Sequence, residues 1–152
     1  MCKSEIDPNP TLFQFEPRTK CPLPLLSGHV PAGFPSPADD YVENKLDLNE
    51  HLIKHPAATF FMKAFGDSMI KAGIQSGDIL IIDRALEPKS NHIVVAVING
   101  EFTVKRLVKR DGDWFLYPEN PDYQPVKLDA EMQISIWGVV TYVVHATQAV
   151  AV

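Results

Sequence analysis

The sequence predicts a mainly β domain of antiparallel strands with one or two short helices, preceded by an extended N-terminal arm. Three observations predict it. Eight of the 13 prolines lie within the first 40 residues, before any periodic apolar run begins. After that point the apolar runs are short, rich in β-branched and aromatic residues, and separated by turn signals. One of those signals is Asn99-Gly100 between two apolar runs, the pair that a type I′ hairpin turn requires because both positions need φ > 0.

Residues 1–40 are expected to form the arm and residues 41–152 the folded domain, since a proline-rich stretch with scattered apolar residues builds no core of its own. Within DLNEHLIKHP (47–56), Asp47 followed three residues later by Glu50 marks a helix start. Leu48, Leu52 and Ile53 give a short apolar stripe, and Pro56 ends it. Strands are expected over 58–65, 78–83, 92–98, 101–108, 113–118 and 134–144. The turns between them are at Gly66-Asp67, Ser76-Gly77, Asn99-Gly100 and Asp111-Gly112. Closely spaced strands without intervening helices favour antiparallel pairing.

Hydrophobic residues at 45% and charged residues at 22% are globular values. Net charge is −5, and the basic and acidic residues of 1–32 balance, so the excess acid sits on 33–152. An acidic domain lacks the electrostatic footprint of DNA binding, so any link to DNA is expected to run through protein partners. The cysteines, Cys2 and Cys21, both lie in the arm, and no CxxC pair exists. His51 and His55 stand at i,i+4, but HLIKH lacks the glutamate of HExxH. They are expected to be solvated helix positions rather than metal ligands, and neither metal nor cofactor is called for. No apolar run approaches the length of a membrane span, and no secretory signal opens the chain, so a cytoplasmic location is expected.

Two segments carry residues with chemical potential. In PLPLLSGHVPAGFPSP (22–37), prolines bias the chain toward extended conformations, and Ala32-Gly33 is a gap of two small residues in that stiff run. A protease takes its substrate as an extended strand, and small residues let the backbone approach the nucleophile; the ordinary alternative is a linker. In FGDSMIKAGIQSGD (65–78), Gly66 permits a reversal, Asp67 is a candidate cap and Gly73 a candidate end for a short helical turn. Ser68 would stand at its start, where unpaired amides point outward and suit an oxyanion. On this spacing alone, a capped turn with a surface serine is the ordinary reading. A serine nucleophile needs a base, and a lysine kept neutral by burial serves. Lys105, in EFTVKRLV on the second strand of the Asn99-Gly100 hairpin, shares a face with Thr103 and Leu107. Which face turns inward is not readable from the sequence.

Taken together, AGFPSPADDYVE (32–43), DLNEHLIKHP (47–56), FMKAFGDSMIKAGIQSGDILIID (61–83), GEFTVKRL (100–107) and WGVVTYVVHA (137–146) resemble the UmuD/MucA family. These are self-processing accessory proteins of SOS mutagenesis, related to the C-terminal domain of the LexA repressor. The resemblance implies the LexA/UmuD-type peptidase fold, with Ser68 in GDSM as nucleophile and Lys105 in FTVKRL as general base. It puts the scissile bond at Ala32-Gly33 and gives the oxyanion to the backbone amides of Ser68 and Asp67. It further implies cleavage stimulated by a RecA–single-stranded DNA filament, a processed homodimer, and a UmuC-type Y-family polymerase as partner in translesion synthesis. Two features depart from the family: Pro31 directly precedes the scissile pair, and residues 1–28 have no clear match.

Three other readings compete. A non-catalytic, dimeric polymerase-binding module would carry the same β domain with Ser68 and Lys105 idle. A signal peptidase would share the Ser/Lys chemistry, but would need a membrane anchor. A LexA-like repressor would need a DNA-binding domain, for which 32 residues before the cut are too few.

Overall fold

The computed structural model describes residues 13–14, 20–26, 30–35, 37 and 42–148; Cys2 and most of the arm lie outside them. The chain divides into two compact units, Glu16–Lys54 and His55–Val152 with Met1–Phe15. The architecture is mainly β, as expected.

In the smaller unit, β2 (Leu23–Leu26) pairs antiparallel with β3 (Val42–Leu46) as a two-stranded sheet. Neither strand is announced by the sequence. Pro24 falls inside β2, which is tolerable because a two-stranded ribbon has only edge strands. Asp47 caps α1 (Leu48–Leu52) as expected: its side chain accepts from the amides of Asn49 and Glu50. The other carboxylate oxygen accepts from the Cys21 amide at 2.7 Å. That bond, with the two cap bonds behind it, holds the Asp47 carboxyl below the usual aspartate value.

The helix is shorter than the 47–56 segment that signals it. Ile53 is already extended, and Pro56 opens a separate 3-10 turn, Pro56–Ala58. Proline disfavours the helical conformation in the residue before it, so His55 cannot continue α1. His51 and His55 therefore do not share a helix face. His55 instead places Nδ1 2.6 Å from Oδ2 of the buried Asp83 while staying exposed itself, which corrects the expectation of a helix position but not of a solvated one.

The larger unit holds an eight-stranded sheet in the order β1-β4-β5-β10-β6-β7-β8-β9, with every neighbouring pair antiparallel. Six strands coincide with the expected runs: β4 (Thr59–Lys63), β5 (Ile79–Asp83), β6 (Ile93–Ile98), β7 (Glu101–Arg110), β8 (Asp113–Tyr117) and β10 (Ile134–Val144). The two-residue strands β1 (Phe13–Gln14) and β9 (Val126–Lys127) close the edges. Asn99 and Gly100 both have positive φ, 49° and 83°, and join β6 to β7 as the expected tight hairpin. β10 crosses back between β5 and β6 and carries a register shift against each.

Alternation along the strands feeds two core clusters. Val95 of β6 packs with Met62, Met69, Ile74, Leu80 and Ile82. Its neighbours Val94 and Ala96 pack with Leu107, Leu116 and Val139 on the other side. Leu80, Ile82 and Leu116 are wholly buried, each contributing about 1.5–3 kcal/mol of transfer free energy. Met69 and Ile74 flank the short turn that follows Ser68, so that turn is anchored in the first cluster.

Candidate active site

Ser68 follows β4 across the exposed Phe65, Gly66 and Asp67. The chain then makes a single 3-10 turn, Ile70–Ala72, which Gly73 ends in the left-handed region (φ 78°) while its amide bonds the Ile70 carbonyl. Gly73 thus terminates the turn as expected, but Asp67 does not cap it with its side chain. The turn has no side-chain cap. The Asp67 carboxylate is instead engaged by the Tyr123 hydroxyl, which donates to it at 2.6 Å. This carboxylate holds the Tyr123 phenol above the ordinary tyrosine value.

Lys105 lies mid-strand on β7, opposite the fully buried Val94 of β6, so its methylene stem has apolar company. Its Nζ is 3.0 Å from Ser68 Oγ, 2.9 Å from Thr103 Oγ1 and 3.0 Å from the Val104 carbonyl. All three partners are neutral. Burial without a compensating anion disfavours the ammonium form and pushes the Lys105 pKa below the ordinary lysine value of 10.5. Nζ donates to all three; once uncharged, the amine would keep two N–H groups for Thr103 Oγ1 and the Val104 carbonyl and free its lone pair to accept the Ser68 O–H. A serine hydroxyl in contact with an uncharged amine can lose its proton as it attacks a carbonyl.

A groove of about 290 Å³ runs beside Ser68, lined among others by Phe65, Met69, Ile74, Phe102 and Thr103. It has the size and apolar lining to receive a few small side chains of an extended peptide. Around the serine, the described residues leave the Ser68 amide without a hydrogen-bond partner, as an oxyanion donor must be. Ala32 and Gly33 belong to the smaller unit, in an exposed bend where a Cβ added to Gly33 would meet nothing within 4 Å. No group of three or more metal-ligating side chains occurs among the described residues, and no helix among them is long and apolar enough to cross a membrane.

Sequence reasoning missed the segment Pro118–Tyr123, which meets the serine turn at four points. The Glu119 amide donates to the Ser68 carbonyl at 2.8 Å, and the Lys71 amide donates to the Glu119 carbonyl at 2.9 Å. The Asn120 side chain donates to the Asp67 carbonyl at 3.0 Å, and Tyr123 engages the Asp67 carboxylate. The prolines and Asn120 of PENPDY mark a loop, but nothing in the sequence says what that loop touches.

The comparisons with known proteins agree with the fold. The family model described as Peptidase S24-like matches residues 24–141. Protein ImpA of Escherichia coli is 48% identical over 131 residues, covering 82% of this chain and 85% of that relative. Protein SamA of Salmonella typhimurium is 49% identical over 126 residues, covering 83% and 87%. Protein MucA of Escherichia coli is 42% identical over 121 residues, covering 79% and 82%. The chain belongs to the S24-like peptidases and, within them, to the UmuD/MucA family.

Proposed function

We propose that this protein is a self-cleaving serine peptidase that removes its own arm by cutting between Ala32 and Gly33. The observation that carries the reading is the contact between Lys105 Nζ and Ser68 Oγ, 3.0 Å apart, in surroundings that disfavour the ammonium. Neutral Lys105 takes the Ser68 proton as Oγ attacks the Ala32 carbonyl, with backbone amides at Ser68, its own and that of Asp67, stabilising the oxyanion. The tetrahedral intermediate collapses by breaking the Ala32–Gly33 bond, and protonated Lys105 gives its proton to the Gly33 amine as it leaves. Water, deprotonated by the same amine, then releases the acyl group on Ser68. On this reading residues 1–40 form the arm with its cleavage site, and residues 41–152 form the peptidase domain.

The family extends the proposal to regulation and partners. Cleavage is slow until the chain meets a RecA–single-stranded DNA filament, which shifts the population toward the conformer with the bond in the groove. The processed chain, 33–152, forms a homodimer in the cytoplasm and joins a UmuC-type Y-family polymerase as accessory subunit in the SOS response.

The test is a time course of purified full-length chain with filament, followed by mass and N-terminal sequencing. The expected product begins at Gly33, and Ser68→Ala and Lys105→Ala chains stay intact while remaining folded. A wild-type chain that never shortens, or a Ser68→Ala chain that does, overturns the proposal; the first outcome leaves a non-catalytic partner-binding module.

A further inference from the structure

The two peptide planes that flank Ser68 are both held by one loop. The Asp67–Ser68 peptide has its carbonyl bonded by Asn120 Nδ2 at 3.0 Å and by the Ile70 amide at 3.2 Å. The Ser68–Met69 peptide has its carbonyl bonded by the Glu119 amide at 2.8 Å. No described peptide bond is cis. In a trans peptide the C=O and the following N–H point in opposite directions across one rigid plane. Whatever grips the Asp67 carbonyl therefore sets the direction of the Ser68 N–H.

Asn120 is well placed to grip. It is only 9% exposed, and its other amide atom, Oδ1, accepts from the Asp122 backbone at 3.0 Å. The side chain is thus tied at both ends, and the two bonds fix which atom is the donor. The Ile70 amide reaches the same carbonyl from within the turn, whereas Asn120 holds it from a separate loop.

We infer that Asn120 is a positioning residue for the cleavage reaction, aiming the Ser68 amide at the developing oxyanion by holding the Asp67 carbonyl on the opposite edge of the same peptide plane. The inference rests on the proposed reading of Ser68 as nucleophile. It adds a residue 52 positions downstream that makes no hydrogen bond to Lys105. Asn120 acts on the transition state through the backbone, so it is expected to alter the rate of the chemical step and not the protonation of the base.

The experiment is the filament-free rate of self-cleavage against pH in the full chain, for wild type, Asn120→Asp and Asn120→Ala, each checked for cooperative thermal unfolding. Asn120→Asp keeps an acceptor for the Asp122 amide and loses the donor to the Asp67 carbonyl. The high-pH plateau is expected to fall about tenfold or more, short of the loss from deleting an oxyanion donor outright. In Asn120→Ala, which adds no charge, the midpoint of the profile is expected to stay in place, because all three partners of Lys105 are untouched. A plateau within about twofold of wild type overturns the inference, as does, in the uncharged Asn120→Ala, a fall accompanied by a displaced midpoint, the mark of a turn that has merely loosened. Should Asn120→Asp not fold, Asn120→Ala is read by the same criteria. In the wild type, the scalar coupling across the hydrogen bond from the Asn120 side-chain nitrogen to the Asp67 carbonyl carbon must be observable; its absence overturns the inference whichever variants fold. A wild-type chain inert at every pH would instead refute the reading of Ser68, so the two failures are distinct.

Discussion

Lys105 and Arg106 are consecutive on β7, yet only Arg106 has a carboxylate. The Arg106 guanidinium pairs with Glu119 and also donates to the Asn91 carbonyl, whereas Lys105 is hydrogen-bonded to a hydroxyl, a second hydroxyl and a backbone carbonyl. The pleat separates the two side chains, and the acid goes to the one that cannot give up its proton. Lys105 is thereby left without an anion among its hydrogen-bond partners. Self-cleavage without filament is therefore expected to accelerate as pH rises. Below the lowered Lys105 pKa the neutral fraction grows about tenfold per pH unit, and above it the rate levels off. First-order loss of intact chain, followed by mass between about pH 7 and 10, checks this; a flat profile would exclude a lysine base.

The same burial makes a stability prediction that needs no catalysis. The folded-state pKa of Lys105 lies below the unfolded value of 10.5, so the unfolded state binds more protons in the window between them. Stability conferred at this position is fully present above 10.5 and is lost as pH falls through the lowered folded value. Lys105→Met carries no such proton. Its melting temperature relative to wild type is expected to be most favourable near pH 7 and to decline toward about pH 10. A wild-type-minus-variant difference that stays constant across that range would show that the amine is not desolvated.

Thr103 receives one of the N–H bonds that orient the amine, at 2.9 Å. In Thr103→Val the shape is kept and the acceptor is lost. The ammonium form loses more by this than the neutral form, because charge-assisted hydrogen bonds are the stronger ones. The midpoint of the pH–rate profile is therefore expected to move to lower pH. The plateau should fall about three- to tenfold, the equivalent of one ordinary hydrogen bond. A midpoint displaced upward would contradict the assigned donor and acceptor roles.

The parts of the fold legible in the sequence are those governed by local rules. The six longer strands of the large sheet follow from β-branched and aromatic runs, and the β6–β7 hairpin from Asn99-Gly100, since φ > 0 at consecutive positions is a local demand. β2 was not legible, because Pro24 argues against a strand wherever both edges are paired, and only the ribbon partner Val42–Leu46 makes it acceptable. At the site, Ser68 and Lys105 were singled out by residue type and resemblance. The side of β7 on which burial occurs depends on strands far away in sequence, and so do the Asp67–Tyr123 and Asp67–Asn120 contacts across the loop. Asp67 illustrates the limit: a capping role is the local expectation, and a tyrosine 56 residues on takes the carboxylate instead.

Gly138 joins packing to sequence in a way that can be measured directly. It sits in β10 at the register shift against β6, where the strand is buried between two neighbours. A Cβ placed there would lie 2.5 Å from Ile82 Cγ2 and 3.2 Å from Arg84 Cγ. Ile82 is wholly buried in the first core cluster and has nowhere to retreat. The Arg84 side chain donates to the Trp137 carbonyl and its guanidinium lies 4.4 Å from the centre of that ring, so it is held too. Gly138→Ala is thus an overpacking substitution, expected to destabilise by about 1–3 kcal/mol. For a chain of this size that lowers the melting temperature by roughly 2–4 °C per kcal/mol. Thermal unfolding of the full chain measures it, and an unchanged melting temperature would mean that β10 can shift at its bulge to admit a methyl group. Because Ile82 packs in the same cluster as Met69 and Ile74, the residues that anchor the serine turn, the cleavage rate of Gly138→Ala is expected to fall alongside its stability.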